Sequence, residues 1–155
     1  LSPVSKPNIL NIGFNRGHSA AAFLSSCDCR VTSVDIGVHE YIHQASDLVD
    51  QVYPGRHRLI VGDSTTVIPN LKPKDPLDLV FIDGGHTRPI PWLDICNCAK
   101  IVNNGCLVVV DDYCPTYGSD GVVEAWDRAV AEGMIEQLDV FTHNDIGIVV
   151  GKYVK

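Results

Sequence analysis

Long apolar runs are missing from this 155-residue sequence: none approaches the ~20 residues a membrane-spanning helix needs, and no secretory signal opens it. A membrane partner is therefore not expected, and the features together suggest a cytoplasmic protein. Cations are scarce as well, with 12 Lys and Arg against 19 Asp and Glu and a net charge of −7. Affinity for nucleic acid rests largely on Lys and Arg neutralising phosphates, so no nucleic-acid partner is expected and a small molecule is the better candidate. Internal repeats, low-complexity stretches and linkers are absent too. With 45% hydrophobic and 20% charged residues, the chain suits one domain, spanning residues 1–155, that buries a core without staples. It opens on Leu1 rather than Met, which is consistent with an excised or processed fragment.

Cysteine is present but in a pattern that argues against scaffolding. The six lie at 27, 29, 96, 98, 106 and 114, and two C-x-C pairs, Cys27 with Cys29 and Cys96 with Cys98, raise zinc as a reading. Paired zinc ligands are usually two to four residues apart, and the two pairs should fall on opposite faces of a sheet. Apolar fillers and surface thiols in a reducing compartment is the reading that remains.

What is present is an alternation of short β-rich runs with helical patterns, the sign of a parallel sheet wrapped by helices on both faces. Strands are expected over 8–14, 31–35, 58–61, 77–82 and 106–111. Helices are expected from His18 to Ser26, over the periodic set Tyr41, Ile42, Ala45, Leu48, Val49 and Val52, from Pro91 to about Lys100, and after Gly121. Two last strands, about 135–142 and 146–153, are joined by His143, Asn144 and Asp145, which makes them an antiparallel hairpin. The fold class that follows is α/β: a Rossmann-like, open, doubly wound sheet of seven strands, mostly parallel, with an antiparallel strand from the C-terminal hairpin. In such sheets ligands sit beyond the carboxyl ends of the strands.

The chemistry-bearing residues all lie at such ends. The loop from Gly13 through Asn15, Gly17 and His18 to Ser19 follows the first strand and opens a helix. It lacks the three glycines of a dinucleotide fingerprint, since Asn15 and His18 hold the second and third places. A pyrophosphate is poorly served there, whereas a cofactor without phosphates would be accommodated; a plain structural turn is the alternative. Asp35 closes the second strand about 20 residues later, where a carboxylate can accept both ribose hydroxyls or merely cap a helix. Asp83 closes LDLVFID, and Asp111 with Asp112 closes LVVVDD. Three carboxylates so close repel unless a cation intervenes, and oxygen-only donors favour Mg²⁺ or another hard divalent metal over zinc. Helix capping by one of the paired aspartates is the competing reading. His86 lies three residues past Asp83, within reach of a substrate oxygen held at the same place, and can serve as a base. Tyr113, Tyr117 and the segment 114–120 are expected to wall a substrate pocket. Trp92 and Trp126 read as core, and His39, His43 and His57 as solvated surface.

The order of elements, with NIGFNRGHS, VTSVDI, GDS, FIDGGH and LVVVDDY at the strand ends, resembles class I S-adenosylmethionine-dependent methyltransferases over nearly the whole chain. Within them it is most similar to the metal-dependent O-methyltransferases, of the catechol type and of the type that modifies macrolide and aminocoumarin natural products. The resemblance implies that Gly13, Asn15 and Gly17, with His18 and Ser19, receive the methionine part of S-adenosylmethionine, Asp35 its ribose, and Asp63 with Ser64 its adenine. It also implies that Asp83, Asp111 and Asp112 bind Mg²⁺, with His86 as the base and Asp83 bordering both cofactor and metal. The acceptor it implies is a small hydroxylated molecule.

Two departures stand out. Asn11 replaces an acidic residue expected two places before the first loop glycine, weakening the hold on the cofactor's amino group. Only seven residues precede Asn8, so the N-terminal lid helices expected from the resemblance have no counterpart in this sequence; a core cut from a longer parent protein, a partner chain such as a second copy covering the site, or a cleft open to larger substrates are the alternatives. Competing functions are a degenerate domain that binds the cofactor without catalysis, methyl transfer without metal, and an NAD-linked oxidoreductase.

Overall fold

A computed structural model describes residues 6–114, 120–143 and 146–155. Seven strands form one sheet: β1 (Asn8–Ile12), β2 (Arg30–Asp35), β3 (His57–Val61), β4 (Leu79–Ile82), β5 (Leu107–Val110), β6 (Ile135–His143) and β7 (Ile146–Tyr153). Their order is β3-β2-β1-β4-β5-β7-β6; β1 to β5 run parallel, and β7 is antiparallel to both β5 and β6. The fold class expected from the sequence is thus the one observed, with the short hairpin joint at 144–145 outside the described residues. A register shift between Gln137 and Asp139 lets Leu138 bulge outward, half exposed.

Helices α1 (His18–Ser26) and α2 (Ile42–Val52) cover one face, burying Ile9, Phe14, Leu24, Val31, Ile42 and Val49 together. On the other face lie α3 (Ser64–Val67), α4 (Ile90–Ile101) and α5 (Asp120–Ala131), around a core that includes Leu10, Ile82, Ile95, Val108, Trp126 and Tyr153. Trp126 is fully buried, and its indole nitrogen donates to Gln137 Oε1 at 2.7 Å. Trp92 is only partly buried, roofed by the Arg128 guanidinium 3.8 Å from its ring centre.

Two readings of the sequence are revised. α3 was not anticipated, because four residues held by an Asp63 cap, with Thr65 N donating to Asp63 at 2.8 Å, are too few to show a period. His57 is buried rather than solvated: its ring stacks on Phe14 at 5.0 Å and its Nε2 meets Ser33 Oγ at 3.1 Å. Burial pushes its pKa down, opposed by the Asp50 carboxylate.

The sheet changes its winding direction at β1, which pairs with β2 on one side and β4 on the other. Beyond the strand ends the ladder continues by one bond each: Gly13 N to Val34 O, Gly62 N to Asp35 O, Asp83 N to Ile12 O and Asp111 N to Ile82 O, at 2.8 to 3.0 Å. Gly13, Asp35, Asp83 and Asp111 are held on one rim by these bonds.

Candidate active site

At this rim lies a cleft of about 410 Å³, between the ends of β1, β2, β3 and β4. Gly13 stands at its centre with φ of 89°, and a Cβ there would lie 1.8 Å from the carbonyl oxygen of Asp83. The residue type at 13 is therefore dictated twice, by left-handed backbone and by contact with the next strand's end. Asn15, also left-handed with φ of 47°, continues the turn. Asp35 organises it from the side: one carboxylate oxygen accepts from the backbone N–H groups of Phe14 and Asn15, each at 2.9 Å, and the other from Gly37 at 2.8 Å.

Asp63 contributes a second carboxylate, one oxygen of which is engaged by Thr65 through its N–H at 2.8 Å and its hydroxyl at 2.7 Å. These bonds hold its pKa below the usual carboxylate value. Ile36 and Val38, 61% and 70% exposed, flank the same cleft. Large apolar side chains are left open there on one side of the hollow, a surface suited to the flat face of a ring. Neither residue stood out in the sequence; the available signal was two apolar residues around Gly37, directly after a strand-end carboxylate.

The acidic wall stands at the β4 end. Asp83, His86 and Asp112 each offer a ligand atom within 4.8 Å of the others, the one such group among the described residues. His86 Nε2 lies 3.0 Å from Asp112 Oδ2. Burial raises the Asp83 pKa to about 6, helped by the charges of Asp111 and Asp112 and opposed by His86. Asp111 is pushed up too, mainly by burial, although it accepts the N–H of Asp112 at 2.8 Å. Asp112 itself has φ of 58°, a left-handed backbone that costs a non-glycine residue roughly 1 kcal/mol or more. The His86 loop is braced from α5, where a Cβ on Gly121 would lie 2.2 Å from the His86 carbonyl oxygen.

Of the residues singled out in the sequence, Gly13, Asn15, Asp35, Asp63, Ser64, Asp83 and His86 line this one cleft. Asp112 joins through His86 and Asp83, while Asp111 stands beside the group without entering it. Gly17 and His18 instead line a wider apolar groove of about 680 Å³ between α1 and α2, away from the acidic wall. Ser19 turns inward and donates to Asn11 Oδ1 at 3.1 Å. Asn11 is wholly buried and its amide nitrogen reaches Ser33 Oγ at 3.1 Å and Gly13 O at 3.3 Å, so it braces the loop from below. A carboxylate at that place would have no N–H to give the Gly13 carbonyl. Tyr113 donates to Asp127 at 2.9 Å and packs partly on the core, and burial with that partner raises its pKa to about 12. Residues 115–119, Tyr117 among them, lie outside the described residues.

A family model described as methyltransferase domain matches residues 10–113. The chain belongs to the methyltransferase domain family. Solved structures share its fold at low identity. One is the Streptomyces achromogenes O-methyltransferase TomG, involved in tomaymycin synthesis and in complex with SAM (TM-score 0.76, 18% identity, 96% of this chain and 73% of that one). Another is the Podospora anserina methyltransferase PaMTH1 with bound SAH (TM-score 0.70, 17% identity, 96% and 72%). A third is the 1,6-didemethyltoxoflavin-N1-methyltransferase of Burkholderia thailandensis (TM-score 0.74, 14% identity, 97% and 72%). No curated protein matches the methyltransferase significantly in sequence. Among its described residues no helix is long and apolar enough to cross a membrane.

Proposed function

We propose that this methyltransferase transfers the sulfonium methyl of S-adenosylmethionine to a hydroxyl of a small molecule carrying two neighbouring oxygens, with a hard divalent cation such as Mg²⁺ at the acidic wall. The observation that carries the reading is the meeting, at one rim, of a phosphate-free cofactor cleft with the group Asp83, His86 and Asp112. Asp35 would take the ribose, Asp63 with Ser64 the adenine edge and Ile36 its face, while Gly13 lets the backbone approach the methionine part.

The donor set fits a cation. Two carboxylates, Asp83 and Asp112, converge beside His86 in a half-buried place where Asp83 is driven toward its neutral form by burial and by like charges. A bound hard cation would relieve that repulsion and acidify an acceptor hydroxyl. Asp111 would support the charge of the group from beside it. His86 donates Nε2–H to Asp112 in its neutral form, which leaves the Nδ1 lone pair to receive a proton. As the acceptor oxygen forms its bond to the methyl carbon, the carbon–sulfur bond breaks and its electron pair returns to sulfur. The hydroxyl proton passes to Nδ1 of His86. The products are the methyl ether and S-adenosylhomocysteine.

Labelled methyl transfer to a panel of vicinal diols and catechols, with Mg²⁺ and with chelator, tests this. His86→Ala is expected to lower kcat by about 10²–10⁴-fold, the usual contribution of a general base. Turnover that survives both chelator and the substitution would refute the metal and base assignments.

A further inference from the structure

The sheet has a second pole. At the amino ends of β1, β2 and β3, beside the segment leading into β4, lies a hollow of about 490 Å³. Five of the chain's twelve Lys and Arg line it, namely Arg30, Arg56, Arg58, Lys72 and Lys74, against one carboxylate, Asp75. For a chain of net charge −7 this is a marked concentration of positive charge, and low-dielectric walls around such a hollow focus its field.

The five differ in freedom. Arg56 is fixed, its guanidinium donating to the carbonyls of Leu24, Cys27 and Cys29. Arg30 leans on Asp75 at 3.3 Å. Arg58, Lys72 and Lys74 are exposed and enter none of the ion pairs seen among the described residues, so their charge is available to a ligand. Apolar wall is supplied by Leu71 and Leu77.

We propose that this hollow is a second binding site, for a compact polyphosphorylated small molecule of nucleoside di- or triphosphate type. The free cations take the phosphates, and the apolar wall takes the uncharged part. The volume is in the range of small-molecule sites. A long polyanion is disfavoured, because beyond the hollow it would meet an acidic protein. S-adenosylmethionine carries no phosphate, so the site is not a second seat for the cofactor.

The test is calorimetric titration of the full chain with ATP, ADP and tripolyphosphate, without divalent metal so that the acidic wall cannot recruit a metal–nucleotide complex. Saturable binding that weakens with ionic strength is expected. It should weaken at least about ten-fold when Arg58→Gln, Lys72→Gln and Lys74→Gln are combined, as expected on losing charge-assisted bonds, with S-adenosylhomocysteine affinity unchanged. These side chains are exposed, and a thermal melt of the triple variant checks its fold. Absence of saturable binding, affinity indifferent to the triple substitution, or displacement by S-adenosylhomocysteine would each overturn the proposal. So would sedimentation with anionic-lipid vesicles in the absence of any nucleotide binding, which would assign the cations to a membrane surface.

Discussion

The stability of Asp94→Asn relative to wild type should rise with pH. Asp94 projects from α4 into the interior, wholly buried, with its Oδ2 3.3 Å from where a Cβ on Gly84 would sit. Neither carboxylate oxygen has a hydrogen bond of ordinary geometry. Burial raises its pKa from 3.8 to about 6; nearby Ser64 pulls it down and the Asp63 charge pushes it up. The sign is the reverse of a salt-bridged aspartate. Between the unfolded value and about 6 the folded protein holds the proton that the unfolded chain has released, so stability falls as pH rises through that window. At 1.36 kcal/mol per pKa unit, ionisation costs the fold about 3 kcal/mol by pH 8 and under about 1 kcal/mol at pH 4. Asn does not ionise, and any cost of burying its amide is the same at every pH. The stability difference between variant and wild type should therefore shift by about 2 kcal/mol in the variant's favour from pH 4 to pH 8. Urea unfolding of both proteins across that range measures it. A flat difference, or one shifting the other way, would mean that the carboxylate is paired and charged in the folded state.

Gly13→Ala should displace the loop, because its methyl would lie 1.8 Å from the Asp83 carbonyl oxygen; a loss of about 2–3 kcal/mol in thermal unfolding is expected, with weakened S-adenosylhomocysteine binding. Asp35→Ala frees three backbone N–H groups as well as removing the proposed ribose partner, and calorimetry should show S-adenosylhomocysteine affinity falling at least about ten-fold. His57 has its pKa lowered by burial, so the folded state resists its protonation and stability is lost as pH falls from its unfolded value of 6.5 toward the folded one. His57→Phe should abolish that acid-side loss in denaturant titrations while costing about 1 kcal/mol at pH 8, because the Ser33 hydroxyl loses its bond to His57 and keeps only the one from Asn11.

Elements with strong local signals were legible in the sequence. α1 and β7 have the expected bounds, and Pro91 sits in the first turn of α4. Strand-end motifs also placed Gly13, Asp35 and Asp83 correctly on one rim, because a parallel ladder brings consecutive strand ends level. What escaped was set by contacts distant in sequence or by single backbone angles. His57 is buried by Phe14 and Ser33, 43 and 24 residues away, and no local pattern reports that. The turn at Asp112 into left-handed backbone sends its side chain toward His86, whereas the adjacent Asp111 accepts the Asp112 N–H instead. Asn11 looked like a lost cofactor contact, but it is a brace that ties Ser19, Gly13 and Ser33 together.

The central claim is that Asp83 and Asp112 hold a divalent cation beside the proposed cofactor cleft, with His86 next to it as the base. Titration with Mn²⁺, followed by loss of the free-ion electron paramagnetic resonance signal, tests it directly. One ion should bind per chain, and affinity should fall by at least about ten-fold in Asp83→Asn and in Asp112→Asn, the latter keeping a residue that tolerates left-handed backbone. No binding by the folded wild-type chain, or binding that both substitutions leave intact, would contradict the account.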